Sequence, residues 1–169
     1  MNTSKSIVVL GLLSAAAIVL HVVESWLPVP LPVPGIKLGL ANMITLFAVL
    51  VWGWRKALQI LLIRVILGSL LAGSLAGPAF AMSFGGGLIS LAMLQIASRY
   101  FSPPLSVVGV SVAGAAVHGT AQILIATAIV QNWNVLWYLP YIVLCAIPAG
   151  MLTGFAAAYF FSAWDKLQL

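Results

Sequence analysis

Charge is what this chain lacks. Seven Lys and Arg and two acids are spread over 169 residues, whereas a soluble domain draws about a quarter of its residues from those four types. Nine charged side chains cannot cover a globule of that size. With 63% hydrophobic residues and a mean hydropathy of +1.19, the chain reads as one integral-membrane domain over residues 1–169. The two acids, Glu24 and Asp165, exclude a magnesium–diphosphate site, which needs several hard oxygen ligands converging. They also exclude a two-carboxylate glycosidase, because Asp165 sits in the polar tail. No metal site is expected, since the single cysteine, Cys145, rules out thiolate zinc and iron–sulfur centres. Its place in an apolar run suggests inert packing. The net charge of +5 is not spread on a polar face, so nucleic acid is not a partner.

A helix needs about 20 apolar residues to cross the hydrocarbon, and the sequence divides into six such candidates. The first runs from Ser6 to Leu27 and stops at Pro28–Pro34, where four alternating prolines force an extended path. The second, from Lys37 to Trp52-Gly53-Trp54-Arg55-Lys56, is short, which suggests a reentrant or protein-buried start. The third covers Ala57 to Leu75, the fourth rises after Gly85-Gly86-Gly87 and ends near Arg99, the fifth extends from Leu105 to Val130, and the sixth from Tyr138 to Ala163. The fold class is therefore an all-α polytopic membrane bundle of about six transmembrane helices. Cations collect on the cytoplasmic side of membranes. Placing both termini inside puts Lys5, Arg55, Lys56, Arg99 and Lys166 there and leaves Lys37 outside. The expected location is the cell membrane, multi-pass. A cleaved signal peptide is the rival reading of the N-terminus, given Lys5 and Ser14-Ala15-Ala16-Ala17, but the apolar run continues to Leu27.

Small residues four apart mark contact faces between helices in lipid. Ala146, Gly150, Gly154 and Ala158 form such a ridge in the sixth span, and Gly73 with Gly77, Gly109 with Ala113 and Ala115 with Gly119 repeat the spacing. Internal packing explains these. Gly11, Ser14 and Ala15 on the first span make a patch wide enough for an external helix, with internal packing as the alternative.

An ionisable group at the bilayer centre costs roughly 2.5 kcal/mol or more, so each is a functional candidate. At ~1.5 Å per residue, His21, Glu24, Lys37 and Asn42 fall in the outer half. His118 falls near the midplane, and Gln122 shares its face one turn above. Together they would make a polar pocket opening outward. Each also has a plainer role: Lys37 snorkels to the interface or pairs with Glu24, the histidines bond helix carbonyls, and Asn42, Gln122 and Gln95 act as interhelical glue. Arg64, with five donors, either caps carbonyls or floors the pocket. Trp26, Trp133, Trp137, Tyr138 and Tyr141 read as an aromatic belt, one or two of them placed to stack on a planar ligand. Lys37 and Arg64 against Glu24 lean positive, which favours a small anion with an apolar or aromatic body.

The run Pro34-Gly35-Ile36-Lys37-Leu38-Gly39-Leu40-Ala41-Asn42 resembles the signature of the Gx transporter family, also labelled heptaprenyl diphosphate synthase component I. Gly114-Ala115-Ala116-Val117-His118-Gly119-Thr120-Ala121-Gln122 resembles its second motif, and Phe84-Gly85-Gly86-Gly87-Leu88-Ile89-Ser90 fits as well. That family is similar to the substrate-binding S-components of energy-coupling factor (ECF) transporters. The resemblance implies a six-helix bundle that binds a vitamin-like molecule at its outer face. It also implies docking to a transmembrane coupling protein, served by two cytosolic ATPases, through small residues such as Gly11 and Ala15. The synthase label conflicts with the single Asp, and no Walker A motif is present. No catalysis and no cofactor are expected. In this reading Lys37 pairs with the substrate anion, Glu24 holds Lys37, Asn42, His118 and Gln122 orient polar groups, and the Pro28–Pro34 loop gates with the outer aromatics. The substrate would be a vitamin-like or quinone-precursor-like anion, for example a naphthoate. The alternative is a non-transporting membrane subunit of a polyprenyl diphosphate synthase. A passive channel ranks third, because no ring of like polar residues lines a pore.

Overall fold

The computed structural model describes residues 3–26, 37, 39–100 and 106–167. Every regular element among them is helical: α1 (Thr3–Trp26), α2 (Asn42–Trp52), α3 (Trp54–Leu71), α4 (Pro78–Tyr100), α5 (Val107–Val130), a 3-10 turn (Trp133–Tyr138) and α6 (Leu139–Leu167). Lipid offers no partner for a free amide, so helices, which satisfy their own backbone, are the form this composition permits. Four of them, α1, α4, α5 and α6, are long and apolar enough to cross a membrane. The other two fall short for different reasons. α2 has 11 residues, about 16 Å at 1.5 Å per residue, half of a hydrocarbon core. α3 has 18 residues but carries Arg55, Lys56 and Arg64.

The short α2 has a structural cause. Lys37, Gly39 and Ala41, just before it, are buried although not helical. Non-helical backbone at membrane depth is tolerated where protein encloses it, and here α1 and α5 supply partners to this segment. Gly39 has φ +87°, and a Cβ there would meet Asn42 Nδ2 at 2.9 Å, so the turn into α2 requires glycine. The motif's Pro34, Gly35, Ile36 and Leu38, and the Pro28–Pro34 loop expected to gate, lie outside the described residues.

Around α2 the helices pack in sequence, α3 on α4, α4 on α5, α5 on α6, while α1 leans on α3 and, among the described residues, keeps its Cα atoms more than 8 Å from those of α6. The α6 ridge seats against α5 backbone, as its spacing predicts. A Cβ at Gly150 would lie 2.5 Å from Val112 Cα, and one at Gly154 would lie 2.7 Å from Val108 Cα. Ser111 and Thr153 hydrogen-bond across the same seam at 2.9 Å.

Three expectations need correction. The Gly85-Gly86-Gly87 run does not precede the fourth helix but lies inside α4. These glycines bring α4 close to Ile125, to His118 and Gln122, and to Leu61, and contact across the bundle outweighs their low helix propensity. Gly73 and Gly77 are not a packing ridge: Gly73 (φ +69°) follows α3, nothing lies near its Cβ position, and Gly77 faces only Ser74 of its own turn. Cys145 is exposed on α6 rather than packed.

Candidate functional site

Six of the seven predicted ligand-binding residues are buried: His21, Glu24, Lys37, Arg64, His118 and Gln122. Asn42 is half-buried at the first turn of α2. They come from four helices, α1, α2, α3 and α5, and the α1–α2 connection, and hydrogen bonds and shared glycine walls join them.

The first group centres on Lys37. Its Nζ lies 2.8 Å from His21 Nε2 and donates to Ser25 Oγ at 2.7 Å. An ammonium only donates, so His21 Nε2 accepts, which assigns the imidazole proton to Nδ1. Ser69 Oγ lies 3.4 Å from the same nitrogen, and α3 comes so close that a Cβ at Gly68 would stand 2.7 Å from the His21 ring. The Lys37 amide reaches Gln122 Oε1 at 3.4 Å.

Glu24 does something else. The expected role was to hold the Lys37 side chain, but its Oε1 accepts from the backbone amides of Gly39 and of Leu40, the latter at 3.2 Å. A carboxylate is acceptor-only, and the bent chain around Gly39 presents two amides that no helix satisfies. The acid therefore pins the backbone of the turn that follows Lys37.

The second group lies around Asn42. Arg64 Nη2 donates to Asn42 Oδ1 at 2.5 Å, so the guanidinium turns toward α2 and the cluster. His118 lines the same space: a Cβ on Gly39 would lie 2.9 Å from Asn42 Nδ2 and 3.6 Å from His118 Cδ2. On its far side a Cβ on Gly86 would meet His118 Nδ1 at 3.2 Å and Gln122 Cγ at 3.1 Å. The glycines of α4 thus make room for the α5 pair.

Several buried atoms of this cluster have no hydrogen-bond partner: Asn42 Nδ2, Arg64 Nε, His118 Nδ1 and Gln122 Nε2; the buried hydroxyls of Thr45 on α2 and Ser83 on α4 are unpartnered too. Buried polar groups in folded proteins are almost always paired, and leaving one unpaired costs about 1–3 kcal/mol. Three of these atoms are obligate donors, and two cations, Lys37 and Arg64, share the cluster with one acid. The arrangement can bind an anion or a group rich in acceptors. Among the described residues no three His, Cys, Asp or Glu side chains converge to hold a metal.

Sequence reasoning missed Ser25, Ser69, Thr45 and Ser83. Ser25 stands four residues after His21 and Thr45 three after Asn42, spacings that share a helix face. Serine and threonine are common in membrane helices, and this signal alone is faint. The other polar candidate, Gln95, is half-buried on α4 with Oε1 unpartnered, so that oxygen bonds no neighbouring helix. Trp26, Trp133, Trp137 and Tyr141 are largely exposed, while Tyr138 packs on the cluster of Ile123, Ala126 and Val135. On α1, Gly11 and Ala15 are exposed and Ser14 is buried.

Residues 13–160 match the family model described as heptaprenyl diphosphate synthase component I. No curated protein and no solved structure matches the chain.

Proposed function

The chain belongs to the heptaprenyl diphosphate synthase component I family, and on that footing we propose that it is the membrane-embedded substrate-binding subunit of an ECF-type importer. It captures a small anionic molecule at the extracellular face and performs no catalysis itself. One observation carries this reading: unpartnered donors from α2, α3 and α5 gather around a buried cluster with an excess positive charge. Arg64 and Lys37 attract the anion, and Asn42, His118 and Gln122 orient its acceptors. Glu24, by fixing the backbone at Gly39 and Leu40, sets where Lys37 stands.

Import would be driven by partners: a membrane coupling protein and two cytosolic ATPases. Gly11 supports a docking face on α1, since it is exposed and nothing lies within 4 Å of its Cβ position. Ala15 extends that face and Ser14 turns inward. Close backbone approach of this kind is how helices associate in lipid.

The test is uptake together with capture. Gently purified protein analysed by native mass spectrometry should carry or bind a small anion saturably. Lys37→Ala should cut cellular uptake of that molecule at least tenfold. Unchanged uptake, with no saturable binding, ends the importer reading.

The family's description favours one second reading, a non-transporting membrane subunit that accompanies a polyprenyl diphosphate synthase. Affinity capture from native membranes separates the two. Coupling protein and ATPases in the eluate support import, and a soluble synthase without them supports the second reading.

A further inference from the structure

Resting on that ligand-binding reading, we propose that the ligand is held by a carboxylate of single charge, and that Asn42 and Gln122 select it against neutral and doubly charged head groups. Each of these carboxamides has its oxygen taken by a group that can only donate. Gln122 Oε1 faces the backbone N–H of Lys37 at 3.4 Å, and Asn42 Oδ1 accepts from the Arg64 guanidinium. Neither donor group can accept in return, so neither carboxamide can turn over without setting donor against donor. Their N–H2 ends, Gln122 Nε2 and Asn42 Nδ2, are thereby left over, and both are buried without a partner. Arg64 Nε is a third buried donor in the same condition.

The three donors gather around one short piece of chain. Gln122 meets it at Lys37 and Asn42 meets it at Gly39, two residues on, a span of about 7 Å at most. The His118 ring borders both carboxamides. Its Cδ2 lies 3.6 Å from the Cβ position of Gly39, which is 2.9 Å from Asn42 Nδ2. Its Cε1 lies 3.2 Å from the Cβ position of Gly86, which is 3.1 Å from Gln122 Cγ. Arg64 joins through its bond to Asn42.

A wall of donors takes a group that has lone pairs and no hydrogens of its own. A carboxylate and a phosphate meet that condition. A primary amide brings its own N–H2 and leaves buried donors facing one another, which counts against it. Charge separates the first two. Lys37 and Arg64 are set against Glu24 alone, and His21 is neutral because its Nε2 accepts from the Lys37 ammonium. With His118 neutral too, the usual state of an imidazole at about pH 7.5, one positive charge remains to be offset. A carboxylate cancels it. A phosphate monoester, with close to two negative charges, would leave a buried charge uncompensated, which is costly.

The experiment uses the full chain in dodecyl maltoside at about pH 7.5, where imidazole is mostly neutral, with sodium chloride holding the ionic strength constant. Acetate, acetamide and methyl phosphate serve as probes, each a head group on one methyl, so that the rest of the ligand does not enter. Thermal unfolding is followed against probe concentration. Acetate should raise the midpoint saturably, with a half-saturating concentration at least tenfold below that of either other probe. Gln122→Glu keeps an oxygen for the Lys37 amide and turns the donor into an acceptor. In that variant acetamide should stabilise at lower concentration than acetate, a reversal that loss of structure cannot produce. Asn42→Asp makes the same exchange on α2 and replaces the first variant if circular dichroism shows that one misfolded. A wild type in which acetate holds no such lead, or in which no probe stabilises, overturns the inference, and so does a folded variant that keeps the preference for acetate. If that happens while uptake still depends on Lys37, the carboxylate is wrong and the importer reading stands.

Discussion

Glu24 is the residue whose role the structure changes most. It bonds two backbone amides of the turn before α2 and not the ammonium of Lys37. Removing it leaves both amides buried without an acceptor, at about 1–3 kcal/mol each. Glu24→Ala should therefore destabilise the protein by several kcal/mol in detergent unfolding, and Glu24→Gln, which keeps one carbonyl acceptor, by much less. Equal losses in the two variants would show that the charge, and not the hydrogen bonds, is what matters. Gly68 makes a second case. A Cβ there would press on the His21 ring at 2.7 Å, and the ring supports Lys37 Nζ. Gly68→Ala should weaken ligand binding at least as strongly as His21→Ala does, which equilibrium binding on the two variants would check. That histidine, lysine and glutamine occupy membrane depth was legible from residue type alone, because such groups are costly there. Which partner each one takes was not, since a side chain's neighbours across a bundle leave no trace in its own sequence window.

Helix–helix contact is where small residues gain meaning. Spacing identified the α6 ridge, and the structure seats it against α5 with backbone as the opposing surface. Backbone cannot rotate away as a side chain can, and overpacking costs about 1–3 kcal/mol even where neighbours yield. Gly150→Leu should abolish the folded bundle, read as loss of the monomeric peak on gel filtration. Gly11→Leu, with open space at its Cβ position, should leave that peak intact and lower co-purification of the coupling protein. The same spacing rule fails at Gly73 and Gly77, which belong to the turn between α3 and α4. It also fails in the opposite sense at Gly85–Gly87, where three glycines look like a break and instead sit inside a continuous helix. A glycine run signals close approach or a turn, and only the neighbouring helix decides which.

Across the whole molecule, six α-helices follow one another as neighbours with short connections in the described stretches, and four of them are long and apolar enough to span. From the distribution of Lys and Arg, both ends of the chain are expected inside the cell. In a background where the exposed Cys145 is replaced by Ala, Asn132→Cys should react with a membrane-impermeant maleimide on intact cells. Lys166→Cys should react only after permeabilisation. The reverse pattern would turn the polar cluster toward the cytosol and remove the physical basis for capture from outside. The sequence by itself determined that this chain lives in lipid as a helical bundle, because too few charges exist to face water and only helices satisfy their backbone there. It also marked the polar residues that such a bundle must shelter. Only the tertiary structure decided that the segment around Gly39 enters the bundle as bent, non-helical chain and that Glu24 holds its amides. Those features arise from contacts between residues distant along the chain, and packing in three dimensions is the one level at which such contacts exist.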